Sequence, residues 1–187
     1  MPKIEPREPD ELLAAARAGE SDGFAALVRL HQARVFGIAL RMLTDRALAE
    51  DLAQEVFLQL HRSVRSLDSH QHLVFWLRQV TTRRAIDQLR REYRTQTLRI
   101  DESLGLVAAE SDADPLLRQH LRWLIGRLAP MPRAILLLRY QEDMDPLDIA
   151  QTLAVPVNTV KSHLKRSLAA LRMQLSARAP IDESGEA

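Results

Sequence analysis

Along most of the chain apolar residues return every three or four positions, the period of a helix that buries one face. Phe24, Leu27, Val28, Val35, Ile38, Met42 and Leu43 make the first stripe. Thr44 or Asp45 is suited to cap a second helix, whose stripe is Leu48, Leu52, Val56, Phe57, Leu60 and Val64. Leu73, Trp76, Leu77 and Val80 open a third pattern, which Ile86, Leu89 and Tyr93 continue after a shift of phase around Arg83 and Arg84. From Thr95 to Pro115 no period is sustained. That stretch holds Gly105, closes on Ser-Asp-Ala-Asp-Pro and reads as a linker, with a turn around Leu104–Val107. Leu117, His120, Leu121, Leu124 and Leu128 restore the helical step. Pro130 and Pro132 end that helix, and Pro132 fits the first turn of the next, Arg133 to Tyr140. Strand-like alternation is absent from the sequence. The predicted fold is all-α: two small helical domains, 11–94 and 116–178, joined by a flexible linker, 95–115, and followed by a disordered tail, 179–187.

The segment MDPLDIAQTLAVPVNTVKSHLKRSLAALRM carries the most local information. Asp145 is placed as an N-cap, Pro146 as the first helical residue and Asp148 at the third, close to a capping box. The short helix that follows cannot pass Ala154-Val155-Pro156-Val157, because proline has no amide hydrogen to give. Asn158 then caps a second helix. Val160, Leu164, Leu168 and Leu171 form its apolar stripe; Lys161, Ser162, Lys165, Arg166 and Arg172 lie off it, and no acid intervenes from Asn158 to Arg178. A capped short helix, a tight turn and a basic amphipathic helix is the helix-turn-helix plan, in which the second helix enters the major groove of DNA. Its base-edge and phosphate contacts would come from Asn158, Thr159, Lys161, Ser162, His163, Lys165 and Arg166. A surface helix with a solvated basic face has the same composition. Ala154 stands where many such turns have glycine, at a cost of about 1 kcal/mol if its φ is positive.

Composition narrows the classes. Only 4% of the 187 residues are aromatic, so the core rests on aliphatic side chains. There is no cysteine, which excludes disulfides and thiolate metal sites and fits a reducing cytosol. The N-terminal MPKIEPREPDE has no secretory apolar stretch, and no run approaches the roughly 18 apolar residues of a membrane span. A cytoplasmic protein without membrane insertion is expected. The net charge of +1 conceals blocks. Six arginines oppose two acids between Val74 and Arg94, ten Lys and Arg oppose four acids between Leu116 and Ala179, and five acids oppose one arginine between them. Two basic regions predict contact with a polyanion at two places. Six glycines form no phosphate loop, six histidines form no HExxH pair, and His70 and His72 lack a third ligand. No catalytic set, metal site or cofactor is expected.

The first half carries AEDLAQEVFLQL (Ala49–Leu60) and WLRQVTTRRAIDQLRREYR (Trp76–Arg94), and the second half LLLRYQEDMDPLDIAQTLAVPVNTVKSHLKR. In this order the three segments resemble the extracytoplasmic-function (ECF) sigma factors of bacterial RNA polymerase, over roughly Phe24 to Arg94 and Leu116 to Leu175. The resemblance implies that Glu50, Asp51, Gln54 and Glu55 bind the coiled-coil clamp of the polymerase large subunit. On their residues alone these carboxylates also fit a solvated face, while Leu52, Val56 and Phe57 fit the core. It implies further that Asp68, Ser69 and His70, in a loop over Leu67–His72, with Arg83, Arg84, Arg90 and Arg91, hold the opened minus-10 promoter strand. The family often has asparagine where this chain has Arg83. Trp76, at helical spacing with Leu73, Leu77 and Val80, reads as core rather than as a stacking platform. The second domain would read the minus-35 duplex. The acidic linker either threads the polymerase cleft or serves as a plain tether. Core RNA polymerase, promoter DNA and an anti-sigma factor are the implied partners. The other class that the helix-turn-helix admits is a dimeric transcriptional regulator acting without polymerase.

Overall fold

The computed structural model describes residues 8–96 and 115–176, and every regular element among them is a helix. The chain divides into two compact units, one ending at Gly105 and the other beginning at Leu106. Residues 97–114, which make up most of the expected linker, and the expected tail at 179–187 lie outside the described residues.

The first unit is built around α2 (Ser21–Leu43), which packs against α1 (Pro9–Arg17), α3 (Arg46–Ser63) and α4 (His70–Gln96). Leu27, Val35, Ile38 and Met42 of α2, Val56 and Leu60 of α3, and Leu73, Leu77 and Ala85 of α4 are all buried where these three helices pack. Each large aliphatic side chain so buried contributes on the order of 1.5–3 kcal/mol. The approach of α1 to α2 depends on Gly23, where a Cβ would lie only 2.6 Å from Ala15 Cβ. Thr44 and Asp45 divide the junction between them. Thr44 ends α2 in the left-handed region at φ 60°, and Asp45 caps α3 by accepting from the Leu48 amide at 3.0 Å.

The α4 helix is continuous through the expected shift of phase. Thr81, Thr82 and Ala85, all buried, carry its stripe between Leu77 and Ile86, so the break in the apolar pattern is one of residue type and not of geometry. Thr81 Oγ1 donates to the Leu77 carbonyl at 2.6 Å, which satisfies a buried hydroxyl within the helix. A short 3-10 turn, Val64–Ser66, joins α3 to the approach to α4. The expected loop over Leu67–His72 is therefore shorter than its residues imply: His70, Gln71 and His72 form the first turn of α4. Ser69 starts that helix, its carbonyl accepting from Leu73 N at 2.9 Å and its hydroxyl from His72 N at 3.2 Å.

The second unit comprises α5 (Pro115–Gly126), α6 (Pro130–Tyr140), α7 (Pro146–Leu153) and α8 (Val157–Ser176). The α8 helix packs on the other three. Leu124, Leu136 and Leu171 centre one cluster, against which Leu121, Ile125, Leu128, Leu164, Leu168 and Leu175 pack. Proline starts α6 three residues earlier than expected, because Pro130 at its first position needs no amide partner.

Candidate polymerase and promoter interfaces

The acidic face of α3 follows from the helix period. With Ala49, Leu52, Ala53, Val56 and Leu60 buried, Glu50, Asp51, Gln54 and Glu55 are left exposed. Phe57 is only partly buried. Two of the four candidates are engaged within the unit. Glu50 pairs with Arg46 at 2.9 Å, one helical turn away, and Arg46 also lies 5.5 Å from the centre of the Phe36 ring. Glu55 pairs with Arg84 of α4. Gln59, one turn beyond Glu55, accepts from the same guanidinium through Nε at 3.1 Å and Nη2 at 2.9 Å.

The structure thus joins two candidates that the sequence assigns to different partners, and adds Gln59, which the sequence reading omits. The signal was the four-residue spacing of Glu55 and Gln59, which puts both on one face of α3. Along α4, Arg83, Arg90 and Arg91 are exposed, and Arg84 is half-buried. Arg90 lies 3.7 Å from Asp87, and Arg91 donates to Gln88 at 2.9 Å. Trp76 is partly buried.

At the start of α4, Asp68 and Ser69 are exposed, but His70 is not a free surface group. Its amide donates to Asp10 of α1 at 2.8 Å. Its Nε2 faces Nε2 of the buried His31 of α2 at 3.2 Å, with the two rings stacked at 5.1 Å. Burial, ahead of the nearby His70 and Arg34, lowers the pKa of His31 to about 4. Neither Asp10 nor His31 stood out in the sequence.

In the second unit Asp145 accepts from the Leu147 amide at 2.7 Å and the Asp148 amide at 2.8 Å and so fixes the start of α7. Ala154 ends α7 with φ 54° and ψ 50°, and this left-handed residue turns the chain toward α8. The cap assigned to Asn158 is corrected: α8 begins at Val157, so Asn158 lies inside its first turn, and the Pro156 carbonyl accepts from Thr159 N at 2.9 Å. Proline is tolerated just ahead of a helix because no donor is required there. Asn158, Lys161, Ser162, Lys165 and Arg166 are exposed in steps of three and four, and Arg172, two turns beyond Lys165, lies exposed on the same face. Val160, Ser167 and Leu171 are buried on the other. Thr159 and His163 lie at the edge, half-buried. Arg166 Nε donates to the Ser162 carbonyl at 3.3 Å.

A helical unit with an acidic face and an arginine-bearing helix, followed by a helix-turn-helix with a basic second helix, defines a DNA-binding transcription protein of two units. The family models agree with that division: sigma-70 region 2 matches residues 27–95, and sigma-70 region 4 matches residues 118–171. The chain is 30% identical over 183 residues to the ECF RNA polymerase sigma factor SigK of Mycobacterium ulcerans, covering 92% of this chain and 97% of the relative. It is 27% identical over 172 residues to the ECF RNA polymerase sigma factor SigW of Bacillus subtilis, covering 85% and 92%. The chain belongs to the ECF sigma factors of bacterial RNA polymerase. Its fold is shared with CnrH in complex with the cytosolic domain of CnrY, at a TM-score of 0.64, 20% identity and coverage of 92% and 100%. It is shared likewise with the sigma factor RpoE in complex with the anti-sigma factor NepR from Bartonella quintana, at a TM-score of 0.68, 19% identity and coverage of 83% and 98%. Among the described residues no helix is long and apolar enough to cross a membrane.

Proposed function

We propose that residues 11–94 dock on core RNA polymerase and capture the opened minus-10 strand, that residues 116–178 read the minus-35 duplex, and that residues 95–115 set the distance between the two tasks. In the docking step Asp51 and Gln54, with Glu50 and Glu55, meet a basic surface on the large-subunit clamp. Asp68 and Ser69, together with the arginines further along α4, receive the unpaired strand. Asn158, Lys161, Ser162, Lys165 and Arg166 enter the major groove, where cations meet phosphates and polar groups meet base edges. The observation that carries this reading is the single exposed basic face of α8, preceded by the capped α7, in a chain that also holds a region 2 unit. The protein acts in the cytoplasm by binding alone and supplies no catalytic group. Two relatives in fold were solved in complex with another protein, one of them named an anti-sigma factor, and this supports control of the present chain by a protein that covers its polymerase- or DNA-binding faces.

The test is run-off transcription with purified chain and core polymerase on a library of promoter fragments. New start sites that require both proteins support the reading. Duplex binding with no need for polymerase, and no new starts, would identify an operator-binding regulator instead.

A further inference from the structure

The turn that begins α4 is held from beneath by residues outside every surface described so far. We propose that Asp10 and His31 are positioning residues for strand capture: they fix the Asp68–His70 turn in the form that receives the unpaired promoter strand. The proposal rests on the reading that this turn touches that strand.

Three elements meet there. Asp10 of α1 accepts from the His70 amide across 60 residues of sequence, and His31 of α2 meets the His70 ring across 39. A helix leaves its first amides without partners inside the helix. Here one of those amides is taken by a carboxylate from a different helix, which ties the first turn of α4 to α1. The ring contact adds direction. Two imidazole nitrogens that face each other at 3.2 Å share one hydrogen, so one ring donates and the other accepts. His31 is nearly fully buried and keeps its neutral form well into acid, so it offers His70 a hydrogen-bonding nitrogen and not a competing charge.

Above this anchor the exposed groups are placed by bonds local in sequence. His72 Nδ1 accepts from the Asp68 amide at 3.5 Å, and Ser69 Oγ accepts from the His72 amide. Asp68 and Ser69 thus inherit their position from His70 and His72, and His70 inherits its own from Asp10 and His31. A polar pocket for a splayed base works only if its groups are set before the base arrives, since ordering them afterwards subtracts from affinity.

The test uses the full chain assembled with core polymerase, and a labelled single-stranded minus-10 oligonucleotide from a promoter recovered in the run-off assay. Asp10→Ala and His31→Leu are each expected to weaken oligonucleotide binding roughly tenfold, the scale of one lost hydrogen bond in a preorganised site. Affinity for core polymerase and for minus-35 duplex should stay unchanged. Asp10→Asn keeps an oxygen that accepts from the His70 amide and is expected to restore binding, a rescue that a charge effect would not give. In the free chain the His70 amide should exchange its hydrogen faster in Asp10→Ala than in the parent or in Asp10→Asn. Asp68→Ala, a direct contact under the same reading, is the reference. If it weakens the oligonucleotide while Asp10→Ala and His31→Leu bind as the parent does, the positioning role is overturned and the turn keeps its own. If all three bind like the parent, the assignment of this turn to strand capture fails, and the positioning role with it.

Discussion

Ala154 holds a backbone conformation that suits glycine, at φ 54°, and its side chain is exposed. Replacing it with glycine removes the strain without opening a cavity. Ala154→Gly is expected to stabilise the second unit by about 1 kcal/mol, read as a rise in its thermal midpoint. A fall would mean that the greater freedom of the unfolded chain outweighs the relief. Thr82 offers a second such site. It is fully buried, and its hydroxyl has no partner among the described residues, unlike that of Thr81. Thr82→Val keeps the shape and removes the polar atom, so a gain on the order of 1 kcal/mol in the first unit is expected from urea unfolding. Single positions were legible from sequence where one residue does the work alone. Asp145 caps α7 and Pro146 starts it through their own side chain and ring geometry, whereas the cap of α3 stayed open between Thr44 and Asp45 until the structure gave it to Asp45. Asn158 was misplaced by two positions because proline can stand just before a helix as readily as within its first turn, and nothing local decides between them.

Between elements the sequence was informative about stripes and silent about partners across them. The apolar periods of α2, α3, α5 and α8 follow from the helix repeat, and so does the exposed basic face of α8. The join of Glu55 and Gln59 to Arg84 depends on how α3 and α4 sit in register, which no spacing within either helix records. This pair is expected to be weak. Its side chains are 61% and 39% exposed, so a double-mutant cycle of Glu55→Ala and Arg84→Ala should give a coupling below about 1 kcal/mol in unfolding. A coupling of several kcal/mol would mark the pair as a structural clamp rather than a surface contact. The contact among α1, α2 and α4 behaves differently because His31 is buried. Its folded pKa of about 4 lies below the ordinary value of 6.5, through burial first and then His70 and Arg34, so the unfolded chain binds more protons between those values. The stabilisation is therefore complete above about pH 6.5 and is lost as pH falls toward 4. Stability of the first unit should drop across that window in the parent and much less in His31→Leu, as followed by urea unfolding at each pH.

For the molecule as a whole, a net charge of +1 gives no general attraction to DNA, so binding depends on where the cations stand. Lys161, Lys165, Arg166 and Arg172 share the exposed side of α8, and Arg83, Arg90 and Arg91 are exposed along α4. Each cation that neutralises a phosphate releases counterions and adds about 0.9 to the slope of log K against log salt. A cation already facing a carboxylate displaces fewer, because part of its charge is met before DNA arrives. The salt dependence of promoter binding by the assembled polymerase is therefore expected to distinguish the two kinds. Lys165→Ala with Arg166→Ala should lower the slope by nearly 2, tracked by fluorescence anisotropy over a salt series. Arg84→Ala, whose guanidinium is held by Glu55 and Gln59, should lower it by less than a single unpaired cation does. If the double variant leaves the slope where it was, the basic face of α8 does not meet phosphates. If Arg84→Ala matches a full cation, docking on polymerase has drawn Glu55 away and left the arginine to the DNA.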